Sequence, residues 1–220
     1  MFIDQRILEA AEDLRYLLNR RYNKEQALNL VGDRYKLNRE ERFVLYRAIY
    51  SQTEAKERKE KAIKIRELGD KTLTIDGYNV IIVLETMLEG KNLIDSDDSF
   101  VRDISGVFGK HKITEKTHQA IDIIMQTLKQ NPPKDTLIFL DSPVSKSGEL
   151  AAIIREKMKK HGINGTAQVV KQADNAVLRK GQVTATSDSV ILQKAKKAFD
   201  LAGYIVRKNN YEHLYPVRRT

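Results

Sequence analysis

The chain is 220 residues long, 41% hydrophobic, 31% charged and 7% aromatic, which is enough apolar material for one ordinary core plus a small second module and argues against a disordered chain. Thirty-nine Lys and Arg against thirty Asp and Glu leave a formal net charge of +9, a balance that favours a polyanionic partner such as nucleic acid. The absence of cysteine excludes a disulfide framework, a thiolate nucleophile and cysteine zinc sites.

The opening MFIDQRILEAAEDL places Asp and Glu where an export signal needs a basic flank and an unbroken apolar stretch. The longest purely apolar run, Val80 to Leu84, falls far short of the roughly 20 residues of a spanning helix. A soluble, cytoplasmic protein with no membrane partner is expected. From Ile3 to Tyr22 the residues Ile7, Ala11, Leu14 and Leu18 recur at helical spacing. A second helix is expected over Lys24 to Val31 and is stopped by Gly32, and Asn38 caps a third that runs through Phe43, Leu45 and Ile49. Residues Glu54 to Leu68 carry few apolar side chains but offer Glu54–Arg58, Glu57–Lys61 and Glu60–Lys64 pairs at i,i+4 spacing, the pattern of a solvated connecting helix.

Beyond Gly69 the pattern changes. Short β-rich runs at Thr72 to Ile75, Thr136 to Leu140, Thr166 to Val170 and Val183 to Thr186 are each followed by helical periodicity. Such alternation implies a parallel sheet. The expected architecture is a Rossmann-like α/β domain over residues 69–220, preceded by a small all-α domain over residues 1–68. Helices are marked by Ala120 to Leu128, by Leu150 to Met158, and by Ile191, Ala195, Ala198, Phe199 and Ala202, with a final strand at Tyr204 to Val206.

Asp76 closes TLTID, Asp141 closes TLIFLD, Asp174 follows TAQVVKQA and Asp188 closes VTATSD, so all four acids sit just past strands. The carboxyl ends of parallel strands share one edge, where residues distant in sequence converge. Taken singly, each Asp reads as a helix N-cap. Taken together they favour a divalent cation, because gathered carboxylates otherwise repel and protonate.

The segments TIDGYNVI, FLDSP, KQADNAVL and ATSDSVIL, in this order and spacing, resemble the PIN-like nuclease superfamily, and within it the NYN-type branch. The resemblance covers Lys71 to Val206. It implies a PIN-like fold, a metal-ligating acid and an amide at Asp76 and Asn79, further acids at Asp141, Asp174 and Asp188, and phosphodiester hydrolysis in RNA. The whole chain also resembles an uncharacterised family that joins a short helical module to such a domain, through RYLLNRRYNKEQALNLVGDRYKLNREER. Hard oxygen ligands and the lack of a close His pair favour Mg²⁺ or Mn²⁺ over zinc. In such a site the four acids hold metal, and Asn79 orients a phosphate oxygen or a water, or bonds only to backbone.

Ser142, Ser145, Lys146 and Ser147 precede a helix whose N-terminus can hold phosphate, with capping by Ser147 the plainer role. Arg102 and Ser187 complete the candidate substrate contacts. IDSDDSF (Ile94 to Phe100) resembles a calcium loop but has Phe100 where glycine is required, so a solvated helix start is expected there, with Asp98 or Asp103 as a spare acid. GVFGKHK lacks the spacing of a P-loop. Tyr78 stands where an aspartyl-phosphate phosphatase carries a second Asp. Arg155, Lys157, Lys159, Lys160, Lys171, Arg179, Lys180, Arg207, Lys208, Arg218 and Arg219 offer a phosphate-tracking surface, and Tyr204, Tyr211 and Tyr215 offer stacking faces. The alternatives to a nuclease are a non-catalytic nucleic-acid-binding module that keeps the fold, and a scaffold whose helical module forms a homo-oligomer.

Overall fold

The computed structural model describes residues 3–104 and 111–217. Gly106 to Lys110 of GVFGKHK, together with Arg218 and Arg219, lie outside the described residues.

Four helices open the chain: α1 (Gln5–Asn19), α2 (Lys24–Arg34), α3 (Arg39–Ala48) and α4 (Gln52–Lys61). Each begins at a side chain that accepts from orphan backbone N–H groups: Asp4, Asn23, Asn38 and Ser51, the last two in reciprocal boxes with Glu41 and Glu54. Helix α2 runs through Gly32 instead of stopping there. A Cβ at Gly32 would collide with the guanidinium of Arg42, which donates to the Leu37 carbonyl at 3.0 Å and to Asp33 at 2.7 Å. The glycine thus makes room for an arginine and is no helix terminator.

The expected long connecting helix is also corrected. Helix α4 ends at Lys61, where Ala62 bridges to Ala198 and the Ile63 N–H donates to the Ala198 carbonyl at 2.9 Å. An open sheet edge captures the chain there. Nor is α4 wholly solvated, because Arg58 is 4% exposed.

The rest is α/β: β1 (Thr72–Asp76), α5 (Gly77–Leu88), β2 (Leu93–Asp95), β3 (Val101–Asp103), α6 (Glu115–Gln130), β4 (Asp135–Asp141), α7 (Ser147–His161), β5 (Gly165–Val170), α8 (Ala173–Lys180), β6 (Val183–Ala185), α9 (Ser189–Lys194), β7 (Ala198–Phe199), α10 (Leu201–Lys208) and β8 (Leu214–Pro216). Five strands pair in parallel in the order β5-β4-β1-β6-β7. The alternation of β1 divides its side chains between two faces. Leu73 and Ile75 join the core formed with α5, α6, α7 and α10, whereas the Thr74 hydroxyl bonds the Val177 carbonyl of α8 at 2.7 Å. The chain builds outward from β1 through β4 to β5, then returns to lay β6 on the other flank of β1. The switch point therefore lies between β1 and β6.

Two further expectations change. IDSDDSF is no helix start but the β2–β3 hairpin, with Asp98 fully buried in its turn. The helix expected through Ala202, with a strand at Tyr204 to Val206, is instead α9, a two-residue strand at Ala198–Phe199, and α10. Asp200 caps α10 by accepting from the Gly203 N–H at 3.0 Å, so an apolar run of helical period is split by edge pairing and a second cap. Strand β8 adds in parallel to β2, and Ile94 and Val217 enter the core of the helical module. The two parts thus share packing as well as a linker. Among the described residues no helix is long and apolar enough to cross a membrane.

Candidate active site

Gly77 starts the site. A Cβ there would meet the Phe139 carbonyl and the Leu140 side chain, so glycine lets the β1–α5 turn press against β4. Asp76, just before it, is 8% exposed. Its Oδ2 accepts from the Thr186 hydroxyl at 3.0 Å, while the Asn79 N–H lies 3.5 Å from Oδ1, at the outer limit of a hydrogen bond. As a cap, Asp76 is weakly engaged. Burial, opposed by the Thr186 bond and reinforced by the charges of Asp188 and Asp174, pushes its pKa up to about 7.

Across the switch point, Asp188 caps α9, with Oδ1 accepting from Val190 and Ile191 at 2.8 and 3.0 Å. Asp141, at the end of β4, accepts from the Ala173 N–H at 2.9 Å and so ties β4 to the start of α8. Asp174 stands exposed in the first turn of α8. Partial desolvation, then the charges of Asp188 and Asp141, raise its pKa, and Lys194 opposes them. Electrostatic coupling thus links Asp76, Asp174 and Asp188, and Asp141 with Asp174. Oδ1 of both Asp141 and Asp188 is committed to backbone. Their Oδ2 atoms have no protein donor among the described residues.

The donor set is made of hard oxygens and suits Mg²⁺ or Mn²⁺. Among the described residues, no three His, Asp or Glu side chains close into a ready metal-holding group. Mg²⁺ commonly keeps several waters and takes only one or two carboxylates directly. Asp76 and the free oxygens of Asp188 and Asp141 are the side chains that would hold it.

Other candidate residues take structural places. Asn79 Oδ1 accepts from the Ser187 N–H at 2.7 Å and the Ser187 hydroxyl at 3.0 Å, fixing the loop that carries Asp188. Ser187 itself is 2% exposed, and Arg102 is 1% exposed, so neither reaches a substrate. Arg102 holds Asp98 through two bonds of 2.7 Å and donates to the Ser187 carbonyl at 2.8 Å. Asp98 also pairs with Arg58 at 3.1 Å, and Asp103 accepts from the Thr86 hydroxyl at 3.0 Å. They brace the fold and are not spare ligands. Ser142, Ser145 and Lys146 are exposed before α7, and Ser147 is buried. Ser147 does not cap α7, because the N-cap is Lys146 at φ +63° without a capping side chain. Of the basic surface, Arg155 donates to the Ala167 carbonyl, Lys157 pairs with Asp122, and Arg207 pairs with Asp95 and Asp200.

The reading of motifs missed Thr186, whose hydroxyl serves Asp76 and also accepts from the Asp188 N–H at 3.0 Å. The signal was a hydroxyl two residues before a capping acid.

No solved structure matches the chain. An uncharacterized protein, MJ0935, of Methanocaldococcus jannaschii is 44% identical over 187 residues, covering 85% of this chain and 89% of that protein. Residues 6–61, helices α1 to α4, match a family described as a protein of unknown function, DUF434. Residues 65–204 carry all five strands of the parallel sheet and the four acids, and through them the chain belongs to the family described as a domain of unknown function, DUF5616.

Proposed function

We propose that the protein is a Mg²⁺- or Mn²⁺-dependent nuclease of PIN-like kind that hydrolyses phosphodiester bonds in RNA. The observation that carries this reading is Asp76. It is a buried carboxylate, weakly engaged as a cap, at the switch point of a parallel sheet, and it feels the charges of Asp188 and Asp174. Ligand sites in open α/β sheets lie at that point. A cation held by Asp76 and the free oxygens of Asp141 and Asp188 would relieve the repulsion and would supply phosphate binding and a water of lowered pKa. The net charge of +9 suits a polyanionic substrate. In this reading Asp76, Asp141, Asp174 and Asp188 hold metal directly or through water, and Asn79 acts by positioning Asp188.

Incubation with single-stranded and structured RNA in each metal tests the claim. Cleavage is expected, and it is expected to vanish with chelator and with Asp76→Asn; cleavage indifferent to both, or none at all, removes it. A second reading, a nucleic-acid-binding module without turnover, is favoured by the backbone bonds already held by Asp141 and Asp188. It predicts salt-sensitive binding with intact RNA.

A further inference from the structure

The interface between the helical module and the α/β part is dense in arginine, and nearly every one is matched. Arg15 pairs with Asp97 at 2.8 Å, Arg58 and Arg102 share Asp98, and Arg207 pairs with Asp95 and Asp200. Arg47, in the last turn of α3, differs. Its guanidinium lies 5.7 Å from the Phe43 ring, its Nε, like that of Arg58, is buried with no hydrogen-bond partner, and, unlike Arg58, it has no carboxylate paired with it among the described residues. The Tyr50 hydroxyl donates to the Arg47 carbonyl at 2.7 Å, and the Tyr50 ring lies 5.1 Å from the guanidinium of Arg102, which donates to the carbonyl of Ser187, the residue before Asp188. This turn of α3 is thereby held against the carboxylate edge. Burial, then the charge of Arg102, lowers the pKa of Arg47, and Asp103, Tyr50 and Asp188 act in the opposite direction.

Arg47 is half-buried with its Nε cut off from water without a partner, a cost that an oxyanion arriving at its fork offsets with paired bonds. The neighbouring Tyr46 is 45% exposed, with the Lys24 ammonium 5.1 Å from its centroid. An edge carrying four carboxylates repels a polyanion unless cations stand beside it. Helix α9 contributes Lys194, whose charge reaches Asp174, and the helical module contributes Arg47, which feels the charge of Asp188.

We propose that the helical module is the substrate grip of this protein: Arg47 binds a phosphate of a single-stranded nucleic acid lying along the carboxylate edge, and Tyr46 offers the stacking face for one of its bases. The assignment rests on the reading of that edge as a phosphodiester-cleaving site, and it gives a physical reason for the two parts to share one chain. Arg47 binds and places the strand. Attack on phosphorus stays with the metal and the acids.

The test is anisotropy of a fluorescein-labelled single-stranded RNA with full-length protein in Mg²⁺, in the Asp76→Asn background so that the strand survives, alongside cleavage assays in the parent background. Arg47→Met is expected to weaken binding about tenfold and to reduce the salt dependence by about one phosphate contact. Arg47→Lys keeps the charge without the fork and is expected to fall between the two. Tyr46→Ala, at an exposed position, is expected to weaken binding several-fold. Lys129→Met, on α6, serves as the control and is expected to change nothing. In the cleavage assay, Arg47→Met is expected to raise KM with little change in kcat. Should Arg47→Met fail to fold, Arg47→Lys and Tyr46→Ala decide. Binding and salt slope unchanged by both, or no RNA binding by the parent protein, overturns the proposal. Binding that depends on Arg47 without any cleavage sustains the grip and removes the nuclease reading.

Discussion

Asp76→Asn separates a carboxylate kept for metal from one that merely caps a helix. In the folded protein Asp76 holds its proton up to about pH 7, whereas its ordinary value is 3.8. Between those values the native state binds more protons than the unfolded one, so stability from this group falls as pH rises through the window. Three pH units correspond to roughly 4 kcal/mol of penalty above about pH 7. Asparagine removes the charge and keeps an oxygen for the Thr186 hydroxyl, but its amide N–H groups need partners. An unmet buried donor costs about 1–3 kcal/mol, which leaves Asp76→Asn more stable than the parent by about 2 kcal/mol at about pH 8 and no more stable at about pH 4.

For a chain of this size, 2 kcal/mol is about 4–8 °C in Tm, within reach of thermal denaturation followed by circular dichroism in chelator. Magnesium reverses the order. A cation that binds only the folded carboxylate adds about 2.7 kcal/mol at a hundredfold excess over Kd, which lifts the parent at about pH 8 and leaves Asp76→Asn unmoved. An Asp76→Asn protein that is less stable than the parent in chelator at that pH, or that gains as much from Mg²⁺, refutes both the buried-charge argument and the metal assignment.

Asn79→Ala strips Ser187 of the acceptor for its N–H and hydroxyl; a loss of about 1–3 kcal/mol in urea unfolding is expected, with faster amide exchange at Ser187 and weaker Mg²⁺ stabilisation. Asp98→Asn leaves Arg58 and Arg102 buried without their shared counter-ion, and about 3–5 kcal/mol should be lost in the same unfolding experiment. Burial pushes the Asp98 carboxyl up, but the charge and hydrogen bonds of Arg102, the Phe100 N–H and the charge of Arg58 together outweigh it and hold Asp98 below the usual carboxylate range. Its contribution is therefore present above the ordinary carboxylate pKa and fades on acidification, and Asp98→Asn should flatten the acid limb of the stability curve. Lys24 has its pKa lowered by burial to about 7. Stability should therefore rise with pH from about 7 toward 10.5 as the unfolded chain retains the extra proton, and Lys24→Met should abolish that rise.

What sequence can reveal follows from how local the physics is. The strand–helix alternation, the Asn38 and Ser51 boxes and the placement of four acids past strands depend on neighbours within a few residues, and each is visible in the chain. The errors fall where a partner is distant. Gly32 reads as a terminator because the arginine filling its missing Cβ comes from the next helix. Glu54 and Arg58 read as a solvated pair, yet they are 4.0 Å apart, while Asp98, forty residues on, lies 3.1 Å from Arg58. Arg102 reads as a substrate contact because an exposed and a buried arginine look alike in sequence.

The same argument bears on the two modules. Arg58 of α4 reaches Asp98, Asp98 holds Arg102, Arg102 donates to the Ser187 carbonyl, and Asn79 grips Ser187 from the other side. A continuous polar chain thus runs from the helical module to the residue that precedes Asp188. Buried charges that are paired fix geometry, and removing one partner leaves the other stranded. A disturbance at Arg58, remote from every proposed ligand, should therefore loosen Asp188 before it unfolds the sheet. Arg58→Met should lower Mg²⁺ affinity while far-ultraviolet circular dichroism still reports native secondary structure. An unchanged affinity in a destabilised protein would mean that the network braces the interface alone and that the carboxylate edge is shaped entirely within the α/β part.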